Sequence, residues 1–298
     1  MKKVLVIGSS VCDIVINLMD HLPTTGEDVH AGSQHMSLGG CAYNVSDMLR
    51  HFHVPYVLFS PTGTGLYGDF VRNSLRKRGI TSPIPTPDME NGCCYCFVDS
   101  KGERSFISYH GAEYRFLPEW FSLLDAEEFD TVYICGLEIE EETGENIVAF
   151  LEEHPSLQIY FAPGPRAARI SRNLFSRICS LSPILHLNEK EAVDLTGVPV
   201  YRDAAVSLYE KTKNIVIITL ADQGCYYYDG VHSALIPSFP AVQVDTIGAG
   251  DAHIGAVIAS RKLGVSLSTA IETANRIAAA VVEVSGALLP DEAFDTAF

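Results

Sequence analysis

Short runs of aliphatic and β-branched residues alternate with segments of helical period from one end of the chain to the other. The runs at 3–7, 56–59, 131–134, 158–161, 184–187 and 215–219 have the length and composition of strands. Between them lie segments of helical period at 41–52, 69–78, 142–152, 189–196 and 203–211. In the first of these Ala42, Val45, Met48, Leu49 and Phe52 recur at helical spacing and make one apolar face. Alternation of strands and helices of this kind predicts an α/β fold: a mostly parallel central sheet with helices on both faces. No internal repeat and no low-complexity linker divides the chain, so residues 1–298 read as a single domain.

Two segments break the alternation. Residues 14–37 are an extended polar insertion after the first strand. Residues 93–109 read as two strands around Asp99-Ser100-Lys101-Gly102, a turn-forming run. Together they are expected to form a small sheet over one edge of the domain, either a lid or a fixed decoration.

Charge narrows the partners. Thirty-seven acidic against 21 basic residues give a net charge of −16, which repels nucleic-acid phosphates and anionic membranes. The densest basic cluster, at 72–78, is followed by Gly79 and Ile80 and reads as the solvated end of a helix. The apolar run after Met1-Lys2-Lys3 is strand-length, too short for a signal-peptide core or a membrane span. A soluble, cytoplasmic protein with no nucleic-acid or membrane partner is expected. Cys93 and Cys96 have C-x-x-C spacing, but they fall in a strand-like run with no second pair, so they read as reduced strand cysteines.

The run Val244-Asp245-Thr246-Ile247-Gly248-Ala249-Gly250-Asp251-Ala252-His253 carries the chemistry. Downstream, Ala252, Gly255, Ala256, Ala259 and Leu263 give a small-residue helix ending at Gly264, so Gly248 and Gly250 lie where a loop turns into a helix. Glycines there let the backbone approach a ligand, and the free N–H groups at the positive end of the helix bind anions. Asp251, in the first turn, is either an N-terminal cap or a carboxylate that takes a proton from an attacking hydroxyl. His253, two residues further, reads as a helix-packing histidine.

The stretch from Asp245 to Ala252 resembles the C-terminal signature of the ribokinase-like (PfkB) carbohydrate kinases. Gly39-Gly40-Cys41-Ala42-Tyr43-Asn44 is similar to the family's Gly-Gly-x-x-x-Asn substrate motif, and Asn188-Glu189-Lys190-Glu191 to its Asn-x-x-Glu. Thr219-Leu220-Ala221-Asp222-Gln223-Gly224 resembles the segment flanking the nucleotide, so the resemblance spans nearly the whole chain. It implies an enzyme that moves the γ-phosphate of ATP to a hydroxyl of a sugar or sugar-like substrate. By it Asp251 is the catalytic base, and the amides of Gly248, Ala249 and Gly250 form the anion hole. Asp13, Gly39, Gly40 and Asn44 bind the substrate. Asn188 and Glu191 hold Mg²⁺ mostly through water, and Thr219, Gly224 and Asn275 serve the nucleotide. Asp245, with carbonyls over 281–286, matches the position of an activating K⁺. The insertions become a lid, and its unpaired edges suggest a homodimer.

The chain departs from the family pattern at four places. Ala162-Pro163-Gly164-Pro165-Arg166 stands where many relatives carry Asp-Pro-x-x-Arg; Ala221 replaces a Gly, His253 a Phe, and Pro290 falls near a potassium-side hydroxyl. No G-x-G-x-x-G follows the first strand and no Walker-type run is present, which excludes a dinucleotide-binding dehydrogenase and a P-loop kinase. The segment 39–44 carries no Lys or Arg, which favours a neutral acceptor such as a pentose or ketohexose. A keto-sugar acid, a nucleoside, or a silent sensor on this fold are the alternatives.

Overall fold

A computed structural model describes residues 1–297. Its strands are β1 (Lys3–Ile7), β2 (Val11–Leu18), β3 (Ala31–Gly39), β4 (Tyr56–Phe59), β5 (Cys93–Val98), β6 (Arg104–Tyr109), β7 (Phe129–Cys135), β8 (Gln158–Ala162), β9 (Ile184–Asn188), β10 (Val216–Thr219), β11 (Cys225–Tyr228) and β12 (Ser233–Ile236).

Eight of them form the main sheet in the order β12-β11-β10-β9-β8-β7-β1-β4. From β10 to β4 every pairing is parallel, and only β11 and β12 run antiparallel at one edge. β1 lies between β4 and β7, with Val6 opposite both Leu58 and Tyr133. A strand buried on both faces must be apolar at successive positions, which is why 3–7 reads as a continuous apolar run. Alternate residues serve opposite layers: Val4 and Val6 join one core, Leu5 and Ile7 the other. The first core is closed by the helices Cys41–His51, Ala249–Lys262 and Leu267–Val282, the second by Gly144–Glu153 and Tyr201–Thr212. Each fully buried aliphatic side chain contributes roughly 1.5–3 kcal/mol, so both faces are strongly fixed.

The other four strands make a second sheet, ordered β3-β2-β5-β6, in which β2 and β5 are parallel and the outer pairs antiparallel. The β5–β6 turn is held by Asp99, whose Oδ1 accepts the N–H groups of Lys101 (2.8 Å) and Glu103 (2.9 Å). The segment 14–37 is thus mostly an antiparallel pair, with β2 beginning at Val11. The edge strands β11 and β12 and the helix Leu267–Val282 lie beyond what periodicity in the sequence indicated. All eight cysteines are free thiols, and Cys93 and Cys96 lie in β5. No helix of the described residues is long and apolar enough to cross a membrane.

Candidate active site

In a parallel sheet the loops after the carboxyl ends of the strands converge, and ligands bind there. Ser9 follows β1, Glu138 follows β7, Arg166 follows β8, and Asn188 and Thr219 end β9 and β10. The second sheet closes this edge. Between the two lies a cleft of about 340 Å³, at the small end for ligand pockets. Its walls come from both sheets, among them Asp13, Gly40, Phe106, His110, Tyr114 and Arg166.

Gly248 and Asp251 occupy the start of the helix Ala249–Lys262. Gly248 is its N-cap at φ 77°, a left-handed conformation, and a Cβ there would lie 2.3 Å from the carbonyl oxygen of Ala287. Amides in the first helical turn have no intrahelical acceptor, so those of Ala249 and Gly250 lie at the positive end of the helix. Gly250 differs from Gly248: a Cβ on it would meet nothing within 4 Å. Protein packing therefore does not require glycine at 250, where alanine would favour the helix by up to about 1 kcal/mol. An open space kept beside helix-end amides fits a group that comes from outside.

Asp251 is half-buried, and Asn44 Nδ2 donates to its Oδ2 at 2.8 Å. Asn44 and Cys41 sit on the first turn of one helix, and the Cys41 thiol hydrogen-bonds to the same carboxylate. Burial, with Glu191's charge nearby, raises Asp251 to about 6, against the two donors, which pull it down. It remains mostly ionised at neutral pH.

Asp13 lies on β2 at the same cleft, raised to about 7 by burial and by the charge of Asp251. Gly39, at the end of β3, makes room for it: a Cβ on Gly39 would stand 2.0 Å from Asp13 Oδ2. Gly40 has φ 101°, and a Cβ there would sit 2.5 Å from the Ser9 carbonyl oxygen. The motif 39–44 and Asp13 thus form one constellation with Asp251.

Asn188 and Glu191 form a reciprocal capping box at the start of the helix Glu189–Thr196: Asn188 Oδ1 accepts the Glu191 N–H (2.8 Å) and Glu191 Oε2 accepts the Asn188 N–H (3.0 Å). Thr219 Oγ1 donates to the Leu187 carbonyl at 3.3 Å, and Gly224 begins the turn into β11 where a Cβ would collide with Ile236. Asn275 is turned inward: its Nδ2 donates to the carbonyls of Ile236 and Pro237, both at 3.0 Å, and its Oδ1 faces His253 Nε2 at 3.1 Å. The amide is buried, and both of its N–H groups and one acceptor site of its oxygen are taken up by the protein. His253 completes the chain to His186 at 2.9 Å, and burial lowers it to about 4, a neutral packing histidine.

Several cleft residues were not visible from sequence. Glu138 is buried, raised to about 7 by desolvation; its Oε1 accepts the Ser9 N–H at 2.8 Å, while Oε2 has no protein partner. His110 stacks on Tyr114 at 3.7 Å and bonds Glu141 Oε1 at 2.6 Å. Arg166 pairs with Glu140, so Arg166 and His110 each face a carboxylate. For Arg166 the signal was the Pro-x-x-Arg spacing after β8, set against the family's Asp-Pro-x-x-Arg; for Glu138 and His110 no local pattern distinguished them.

A sequence model described as the pfkB family of carbohydrate kinases matches residues 1–293. The chain is 31% identical over 286 residues to the protein named uncharacterized sugar kinase YegV of Escherichia coli K12, covering 94% of this chain and 88% of that one. The crystal structure of ribokinase from Thermotoga maritima superposes with a TM-score of 0.84 at 25% identity, over 100% of this chain and 99% of that one. The Arabidopsis thaliana ribokinase complexed with ribose and ATP gives a TM-score of 0.81 at 19% identity, over 99% and 98%.

Proposed function

The chain belongs to the pfkB family of carbohydrate kinases, and from that premise we propose that it transfers the γ-phosphate of ATP to a hydroxyl of a small neutral sugar, with Asp251 as the base. The observation that carries the reading is the bond from Asn44 to Asp251. It ties the sugar-side motif to the carboxylate at the helix end, so acceptor and phosphoryl group would meet at one point.

In this reading Asp13 accepts hydrogen bonds from acceptor hydroxyls, and Asn44 keeps Asp251 oriented toward the hydroxyl that attacks. Asp251 removes that hydroxyl's proton as its oxygen bonds to the γ-phosphorus and the bond from that phosphorus to the β–γ bridging oxygen breaks, with ADP as the leaving group. The amides of Gly248, Ala249 and Gly250 hold the transferring group, whose charge lies on its outer oxygens. Mg²⁺ accompanying ATP would offset phosphate charge. Glu191 fits that role through water, since its capping bond uses Oε2 alone and its charge reaches Asp251. Thr219, at the end of β10, and Gly224, just before β11, are assigned to the nucleotide side. That the Arabidopsis ribokinase of this fold carries ribose and ATP together supports two adjoining sites.

A neutral acceptor is favoured because Arg166, the one Arg or Lys among the described residues of the wall, is paired with Glu140. The test is ADP release with Mg²⁺-ATP across pentoses, ketohexoses, keto-sugar acids and nucleosides. Fastest turnover with a pentose or ketohexose is expected. A sugar acid preferred at least tenfold would overturn the neutral assignment, and a preferred nucleoside would move the reading to a nucleoside kinase.

The acid limb of the rate profile follows from the raised carboxyls. Asp251 must be ionised to accept a proton, so kcat/KM is expected to rise with pH through about 6, with Asp13 extending the limb toward 7. A profile flat from pH 5.5 to 8 would remove Asp251 from the rate-limiting proton transfer.

A homodimer through the second sheet is carried in the same way. Its outer strand β6 exposes Phe106, Ile107 and Tyr109 beside an unpaired edge. Sedimentation at micromolar concentration should show a dimer, dispersed by Ile107→Lys; a wild-type monomer would contradict it.

A further inference from the structure

The geometry points to Arg104 as a positioning residue that supplies, from the second sheet, the positive charge at Asp245, in place of a monovalent metal ion. The inference rests on the kinase reading above for its rate measurements, but not for its binding measurements.

Asp245 is 1% exposed at its side chain, four residues before the anion-hole amides begin to turn into the helix. Its Oδ1 accepts the Ile247 N–H at 2.9 Å, and its Oδ2 accepts the Gly286 N–H at 2.7 Å. Its own amide and that of Val244 donate to the Val282 carbonyl, at 3.1 and 2.7 Å. One carboxylate therefore joins the loop leading to Gly248 with the loop after the helix Leu267–Val282. Their fit is close, since a Cβ on Gly248 would run into Ala287.

Two neutral amides are not enough for a buried carboxylate. A charge taken out of water needs an opposite charge beside it, or it takes up a proton instead. In many proteins a metal ion answers that need. Here Arg104 Nη2 lies 2.5 Å from Oδ2, and the guanidinium is itself only 18% exposed at its side chain. Its other terminal nitrogen lies 3.7 Å from Cys96 Sγ on the paired strand, which fixes its approach. A monovalent ion would have to displace both an N–H and a guanidinium from the same oxygen. The residues present do not fit a bound K⁺ at Asp245.

Arg104 begins β6, a strand of the sheet that closes the cleft. If that sheet lifts, the cation leaves with it, and the two loops lose the charge that joins them. The anion hole is then complete only when the cleft is covered, and phosphoryl transfer to water in the open state is disfavoured.

The experiment compares wild type, Arg104→Gln and Arg104→Lys in tetramethylammonium chloride and in KCl at equal ionic strength. It reads thermal midpoint without substrates, and acceptor-dependent ADP release. Wild type is expected to show the same midpoint and rate in both salts. Arg104→Gln is expected to lose about 10- to 100-fold in kcat, as when one member of a buried charge pair is removed. KCl, or guanidinium at millimolar concentration, should then restore part of that rate and raise the variant's midpoint. Arg104→Lys, which keeps the charge, should fall between the two and serves if Arg104→Gln does not fold. A wild-type midpoint that rises in KCl, or a wild-type rate stimulated severalfold by it, would overturn the inference whether or not the variants fold. So would an Arg104→Gln enzyme as fast as wild type in both salts. An absence of any turnover would instead count against the kinase reading and leave the midpoint comparison standing.

Discussion

Asp251→Asn is expected to lower kcat by about 10²- to 10⁴-fold, the usual contribution of a positioned general base. The amide is the same size, and its oxygen can still accept the 2.8 Å bond from Asn44. Nucleotide and acceptor affinities should therefore change little, and the loss should fall on kcat rather than KM. Stability should not fall either. The folded enzyme holds the Asp251 proton up to about 6, against an ordinary 3.8. A raised carboxyl of this kind favours the fold at low pH, and that advantage disappears as pH rises through 6. At pH 8 the buried charge is a burden that the amide removes, so the thermal midpoint of the variant should equal or exceed that of wild type. A variant retaining most of its kcat at pH 8 would take the base role away from Asp251. A variant unfolded at pH 8 would show that the carboxylate is structural.

Gly39→Ala is expected to lower kcat/KM for the acceptor by about 100-fold, chiefly through KM. The new Cβ would stand 2.0 Å from Asp13 Oδ2 and 2.9 Å from its Cγ, so the carboxylate must turn away from the cleft. Hydrogen bonds to a charged group contribute roughly 1.5–3 kcal/mol each, and losing one or two reaches that factor. The backbone at Gly39 is ordinary β-strand, which alanine accepts, so the damage should stay local. A cycle with Asp13→Ala isolates the cause. In the Asp13→Ala background the Gly39 change should add less than about threefold, because both act on one carboxylate. Full additivity would mean that Gly39 matters for some other contact, and an unchanged KM in Gly39→Ala would mean that Asp13 does not meet the acceptor.

What could be read from sequence and what could not divides along a physical line. The parallel sheet was legible because a strand buried on both faces must be apolar at nearly every position, as at 4–7 and at 184–187 apart from His186. β11 and β12 were not: they are four residues each and half-exposed at an edge, where no strong pattern is imposed. In the site, Gly248, Gly250 and Asp251 announce themselves because glycine and a carboxylate at a helix start are local features. Gly39 and Gly40 do so for the same reason. Glu138 and His110 reach the cleft only because β7 and β6 bring their following loops together, and no local pattern records that; Arg166, after β8, is marked by its Pro-x-x-Arg spacing alone. Arg104, on β6, and Asp245, in the loop before the helix Ala249–Lys262, are farther apart still in sequence. Asn188 and Glu191 show the opposite case. Their Asn-x-x-Glu spacing serves as a capping box in any helix, so the pattern alone cannot separate a cap from a metal-side pair. Asn275 is given to the nucleotide side by resemblance alone; its contacts with His253 and with the carbonyls of Ile236 and Pro237 cross the fold and leave no local pattern in the sequence.

The central claim is transfer of phosphate to a sugar hydroxyl, and following the phosphorus tests it most directly. Phosphorus NMR of the wild-type enzyme with Mg²⁺-ATP and the best acceptor from the panel should show a new phosphomonoester growing in step with ADP. Little inorganic phosphate should form, and the same mixture with Asp251→Asn should remain ATP over that period. ADP accompanied by inorganic phosphate instead, with no phosphomonoester, would contradict the account.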